Sequence, residues 1–348
     1  MTYVLIRRLS TKLLQGKPFV VPRCNTARTI QTISLVGVPF SEGQSRPGVE
    51  EGAEAIRKGG LLPTLKNLDV KVIDEGDITI DPPNAAEPPH ASTPEGEISI
   101  CNATKVAAVC QNLSKKVADC ASKGNFCLVL GGDHSIAAGS ISGLSSVSNN
   151  LGVIWVDAHL DFNSPLTSPS RNAHGMSAFL STRSGQRNPP EFDWLKTKIF
   201  ADNLVYIGIR DADPGEWVNL KKAGVKKVFT MRHVDRFGIG KIVEMTLDHL
   251  KPSKTRPIHL SFDIDVLNPD LASCTGTKVP GGLLLREAQY IGECLHDTNA
   301  LVGMDVVELN PQLGTKDTLH STVQTINAVV AATLGGDRSK VPQNYDRN

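Results

Sequence analysis

Eight short apolar runs, separated by longer mixed stretches, limit what this chain can fold into. They lie at 33–38, 70–73, 126–130, 152–156, 204–209, 225–229, 258–262 and 301–307. Most are rich in Val, Ile and Leu and apolar on both faces. That suits parallel strands buried under helices on each side better than one-sided antiparallel strands. Between them, 284–295 (LLREAQYIGECL) repeats its apolar positions at three- and four-residue intervals, the period of an amphipathic helix. The alternation predicts an α/β fold with a mostly parallel central sheet of about eight strands and helices on both faces. A length of 348 residues would suit two average domains, yet no composition shift divides 34–335, which is read as a single domain. Residues 1–33 form a basic arm and 336–348 a polar tail, while the proline-rich stretch 81–96 (DPPNAAEPPHASTPEG) reads as a surface loop.

Charge and cysteine usage narrow the function class. Lys and Arg total 37 against 36 Asp and Glu, a balance unlike the basic excess of a nucleic-acid binder. No apolar run approaches the roughly 20 residues needed to span a bilayer. Seven cysteines form no CxxC pair, so they read as free thiols of a reducing compartment. The arm carries Arg7, Arg8, Lys12, Lys17, Arg23 and Arg28 among hydroxyl residues, and the first acidic residue is Glu42. Such composition matches a mitochondrial targeting segment, the alternative being an arm with no address on a cytoplasmic protein.

Four apolar runs end in polar clusters, where open α/β sheets bind ligands. FCLVL precedes Gly131-Gly132-Asp133-His134-Ser135, GVIWV precedes Asp157-Ala158-His159-Leu160-Asp161, IHLSF precedes Asp263-Ile264-Asp265, and GMDVV precedes Glu308. In extended chain, residues two apart point the same way, so Asp157, His159 and Asp161 can converge, as can Asp263 and Asp265. With His134 the set comprises four carboxylates and two imidazoles. Clustered carboxylates repel unless cations neutralise them, and two divalent ions balance four such charges. Oxygen-rich ligation without thiolate favours Mn²⁺, while leaving iron, cobalt and zinc open. Shared carboxylates would hold the ions roughly 3.5–4 Å apart and ionise a bridging water near neutral pH. A lone DxD, or GGDHS alone as a loop and helix cap, would be a weak signal; three strand ends together are not. His90, His233, His249, His259, His296 and His320 lack such company and read as structural.

GGDHS, DAHLDFN and SFDID together resemble the ureohydrolase family, whose members hydrolyse guanidinium compounds at a binuclear manganese centre. The resemblance extends through GVPFSEGQSRPGVEEGAEAIRKGGL, IGIRDADPGE and GMDVVELNP, nearly the whole of 34–335. It implies two Mn²⁺ per subunit, one held by His134 and Asp161, the other by His159 and Asp265, with Asp157 and Asp263 bridging. It further implies that Asp161 passes a proton to the leaving amine, that Glu308 orients the guanidinium, and that His174 shuttles protons. The segment 163–170 (NSPLTSPS) resembles the arginase loop that binds a substrate α-carboxylate, with Asn163 and Ser170 as donors. Asp213 and Glu216 resemble the acidic residues on the amino side, and Thr277 a substrate-side residue. These features favour L-arginine hydrolysis to L-ornithine and urea over agmatine hydrolysis. The family also implies a homo-oligomer, a trimer or a pair of trimers.

Departures from the pattern are Arg171 after Ser170, Asn268 after the DxD pair, and Cys274 near Thr277; none removes a ligand. The rival readings are another ureohydrolase, a two-metal phosphoesterase, and a non-catalytic homologue. A phosphoesterase lacks support, since no arginine cluster or glycine-rich phosphate cradle stands beside the ligands. A non-catalytic homologue would be expected to have lost ligands.

Overall fold

A computed structural model describes residues 30–68, 70–79, 91–93, 96–185 and 188–336. The targeting segment read in the basic arm, His90 and nearly all of the polar tail therefore lie outside the described residues.

Strand β1 (Thr32–Gly37) leads through α1 (Gly52–Ile56), a π turn (Arg57–Leu61) and α2 (Leu62–Lys66) into β2 (Lys71–Asp77). A hairpin of β3 (Ala91–Thr93) and β4 (Gly96–Ile98) follows, overlapping the end of the stretch 81–96 expected to be loop. Strand and helix then alternate: α3 (Ala103–Ser122), β5 (Phe126–Leu130), α4 (Ala137–Val147), β6 (Gly152–Val156), α5 (Ser177–Ser181), β7 (Leu204–Ile209), α6 (Pro214–Ala223) and β8 (Lys227–Thr230). The chain continues through α7 (Met231–Leu250), β9 (Ile258–Asp263), α8 (Leu285–Asp297), β10 (Leu301–Val307) and α9 (Lys316–Thr333).

All eight expected runs enter one sheet, in the order β2-β1-β5-β10-β9-β6-β7-β8, every pair parallel. Strand pleating sends alternate residues to opposite cores. On β5, Phe126, Leu128 and Leu130 meet one set of helices while Cys127 and Val129 meet the other. Residues of α1, α2, α7, α8 and α9 fill the first core; those of α3, α4, α5 and α6 fill the second. Helix α8 follows the expected pattern, burying Ala288, Ile291 and Leu295 and starting at a cap in which Glu287 accepts from the Leu284 N–H at 2.9 Å. The edge strand β2 runs past its apolar half into Asp74, Glu75 and Asp77, charges that discourage edge-to-edge pairing.

Order within the sheet matters for function. Strands β5, β10, β9 and β6 are consecutive at its centre. They are the four strands whose ends carry the polar clusters.

Candidate metal centre and substrate pocket

At the end of β5, Gly132 lets the segment after β1 cross directly overhead. A Cβ there would lie 1.7 Å from the Phe40 carbonyl oxygen, so no larger residue fits. Asp133 then caps a short 3₁₀ turn, accepting from Ser135 N at 3.0 Å and from Gly43 N at 2.8 Å. The cap leaves His134 of the GGDHS segment to point the other way. Its Nδ1 lies 3.1 Å from Asp157 Oδ2 and 3.2 Å from both Asp161 Oδ2 and Asp263 Oδ2.

A second imidazole completes the cluster. His159 Nδ1 lies 3.4 Å from Asp157 Oδ1 and 3.0 Å from Asp265 Oδ2. Two groups result, His134/Asp157/Asp263 and Asp157/His159/Asp265, each compact enough to hold a metal ion. Asp157 belongs to both, turning one oxygen toward each. Asp263 directs Oδ2 to the His134 group, while its Oδ1 accepts from Asp265 N at 2.8 Å.

Electrostatics fit a cation pair. Burial and the neighbouring charges of Asp265 and Asp157 push Asp263 well above the usual carboxylate range. Burial, with Asp157 beside it, raises Asp161 to about 6. Burial would also raise Asp157, but hydrogen bonds from His134 and His159 reverse this and hold it low. Burial alone would depress His134, yet Asp157, Asp161 and Asp263 lift it well above its ordinary value. Protons are doing here what divalent ions do better, since a buried carboxylate cluster otherwise repels itself. The oxygen-rich, thiolate-free donor set fits two hard or borderline divalent ions.

Glu308 and His174 sit beside this cluster. Glu308 Oε1 accepts from the His134 N–H at 2.8 Å and lies 3.0 Å from His174 Nδ1. Burial would lower His174, but its bond to Glu308 prevails and raises it to about 9. Both Asp161 and Glu308 adopt left-handed backbone angles, φ 49° and 68°. At Asp161 the turn also lets its carbonyl accept from Ala178 N at 3.1 Å, fixing the start of α5.

Among the expected substrate-side residues, Asn163, Asp213 and Glu216 are linked by hydrogen bonds, and Thr277 bonds separately to Asp265. Asn163 Nδ2 donates to Asp213 Oδ2 at 2.8 Å, and Asn163 Oδ1 accepts from Thr167 Oγ1 at 2.9 Å. Thr167 also receives the Ser164 N–H at 2.9 Å and Asn219 Nδ2 at 3.0 Å, so the 163–170 loop is braced internally. Ser170 and Thr277 are exposed, and Thr277 Oγ1 donates to Asp265 Oδ2 at 2.9 Å. Glu216 stands one layer behind. It is buried, and its two oxygens accept from Phe162 N at 2.9 Å and Asp213 N at 2.8 Å. Arg171 is exposed with φ 59°, and Cys274 is buried.

Several contributors escaped the sequence reading. Trp155 stacks on His134 at 4.1 Å between centroids and donates Nε1–H to Asp157 Oδ2 at 2.9 Å. Arg210 clamps the carbonyls of Asp265 at 2.6 Å and Val279 at 2.7 Å, joining two loops of the site. Ser261, His259 and Asp305 lie buried beneath the cluster. Trp155 and Ser261 each precede a ligand by two positions, so strand alternation alone could have flagged them.

Residues 31–335 match the model of the Arginase family. The chain is 47% identical over 309 residues to human Arginase-1, covering 87% of this chain and 92% of that protein. It is 40% identical over 327 residues to human "Arginase-2, mitochondrial", covering 92% and 89% respectively. The native structure of arginase from Bacillus caldovelox superposes with a TM-score of 0.79 at 36% identity, covering 88% of this chain and 99% of that one. With the ligand geometry and the sheet order in agreement, the chain belongs to the arginase family.

Proposed function

We propose that this protein hydrolyses L-arginine to L-ornithine and urea. The observation that carries the reading is the pair of ligand groups sharing Asp157 at the centre of the sheet, with the Asn163–Asp213 couple on the rim. His134, Asp157 and Asp263, with Asp161 beside them, would hold one divalent ion, and His159, Asp157 and Asp265 the other. When bound, such ions supply Lewis-acid activation of water.

The chain's own groups do the rest. Glu308, held by the His134 N–H and by His174, orients the guanidinium through charged hydrogen bonds so that its carbon faces the ligand cluster. Asp161 accepts a proton from the attacking water and passes it to the nitrogen that leaves as the side-chain amine of ornithine. His174 exchanges protons with solvent, a role suited to an imidazole whose charge state responds to Glu308. Asn163 and Ser170 donate to the α-carboxylate and Asp213 accepts from the α-ammonium. Glu216 acts through Asp213, whose backbone it fixes. Thr277 lines the substrate side next to Asp265. Agmatine has no carboxylate for Asn163 to read, which is why arginine is the favoured substrate.

The deciding experiment is urea release by protein stripped of metal and reloaded with Mn²⁺, with L-arginine and agmatine offered in parallel. Manganese-dependent urea from L-arginine alone supports the whole reading. Urea mainly from agmatine keeps the metal chemistry and overturns the account of the 163–170 loop, and no urea from either overturns the activity.

The oxygen-rich ligands support manganese as the native metal. The resemblance supports a trimer, which light scattering on the purified protein measures. No helix among the described residues is long and apolar enough to cross a membrane. The basic composition of 1–33 and the likeness to an arginase described as mitochondrial support a mitochondrial address. A reporter fused to residues 1–33 that stays in the cytoplasm would overturn it.

A further inference from the structure

Beneath the ligand cluster, three donors converge on one buried carboxylate oxygen. Strand β9 sends His259, Ser261 and Asp263 to one face, and its parallel pairing with β10 sets Asp305 opposite Ser261. Asp305 Oδ2 accepts from Ser140 Oγ at 2.7 Å, lies 2.9 Å from His259 Nε2, and accepts from Ser261 Oγ at 3.4 Å. Ser261 Oγ is in turn 2.9 Å from His134 Nε2. Ser140, Ser261 and Asp305 are 0% exposed and His259 is 1% exposed, so water cannot take the place of any of these partners.

Proton count links the two contacts of Ser261. A serine hydroxyl has one proton. When Asp305 accepts it, Ser261 can offer His134 only a lone pair, and His134 must carry its hydrogen on Nε2. Once a cation displaces the proton that the carboxylates hold on Nδ1, the lone pair there faces the point that Asp157, Asp161 and Asp263 surround. Were Ser261 to donate to Nε2 instead, the hydrogen would move to Nδ1 and occupy that position.

We propose that Asp305 is a positioning residue for the metal centre: acting through Ser261, it sets the tautomer of His134 and leaves Nδ1 available as a ligand. His259 and Ser140 hold the carboxylate in place. The inference rests on the metal-centre reading of the proposed function. It accounts for a buried Asp–His pair that neither the ligands nor the substrate pocket requires.

The test is uptake of Mn²⁺ alone, followed by chelator competition and metal analysis. Asp305→Leu and Ser261→Ala should each weaken one of the two ions about 10- to 100-fold, the usual effect of losing a group that orients a ligand. The double variant should lose no more than the weaker single, because the two residues form one chain. Asp305→Asn should restore uptake to within a few-fold of wild type, since its amide oxygen can take the Oδ2 position. Ser261→Ala stands alone if the leucine variant fails to fold. Unchanged uptake in Ser261→Ala, additive losses, or a leucine variant that only melts earlier without metal would overturn the proposal. A wild-type chain that takes up no pair of ions overturns the metal-centre reading itself, which separates the two failures.

Discussion

Asp161 and Glu308 occupy left-handed backbone angles that cost side-chain-bearing residues about 1–3 kcal/mol each. Asp tolerates that region better than most residues, and Asn equally well. Asp161→Asn should therefore keep the backbone while removing a charge. Turnover should fall by orders of magnitude, and near-normal activity would sink the ligand assignment. The same variant tests the electrostatics in metal-free protein. Because Asp161 titrates at about 6 when folded against 3.8 ordinarily, its contribution to stability is complete below roughly pH 4 and lost as pH rises through 6. Melting temperatures of metal-free wild type and Asp161→Asn should thus diverge in favour of the variant across that window. Parallel pH profiles would contradict the shift. His174→Ala should lower turnover with both metals retained, a distinction that kinetics beside metal analysis resolves. Asn163→Ala should raise KM for L-arginine, and an unchanged KM would remove it from carboxylate recognition.

At the scale of elements, α6 ties the 163–170 loop to the fold, through Asp213 on Asn163 and Asn219 on Thr167. Pro214 stands at its start, and Asp213 and Glu216 form a reciprocal cap. Glu216→Ala releases the N–H groups of Phe162 and Asp213 together, so KM for L-arginine should rise several-fold with metal content unchanged; lost metal would show a wider collapse. Elements were the most legible level of the sequence. Short runs rich in Val, Ile and Leu marked the strands, because a strand buried on both faces is apolar on both. The hairpin β3–β4 went unseen, since proline-rich composition resembles loop. The polar column of β9 was hidden for another reason: His259 and Ser261 sit within an apolar run, and only their alternation with Ile258 and Leu260 separates the two faces. Glu216 was read only as an acid on the substrate's amino side, because its partners, the backbone N–H groups of Phe162 and Asp213, depend on a loop path that local sequence does not specify.

Across the whole molecule, the candidate ligands come from residues 134 to 265, with Glu308 from the next strand. Motif content pointed to the set, but nothing local dictates that β10 and β9 lie between β5 and β6. Buried carboxylates held together without cations should make the stripped protein markedly less stable. Saturating the sites at about 100 times their dissociation constant contributes about 2.7 kcal/mol per ion, so reloading with Mn²⁺ should raise the melting temperature by several degrees. Calcium or buffer alone giving the same rise would argue against a selective site. The strand order also carries a history. Strands β5 and β6 are made early, yet β6 has no neighbour on its inner side until β9 ends at residue 263, and β5 has none until β10 begins at residue 301. During synthesis they are open edges, the most aggregation-prone stage for a slow, long-range parallel sheet. The last strand of the sheet to be synthesised enters at the middle, so the centre of this molecule is among the last parts of it to exist.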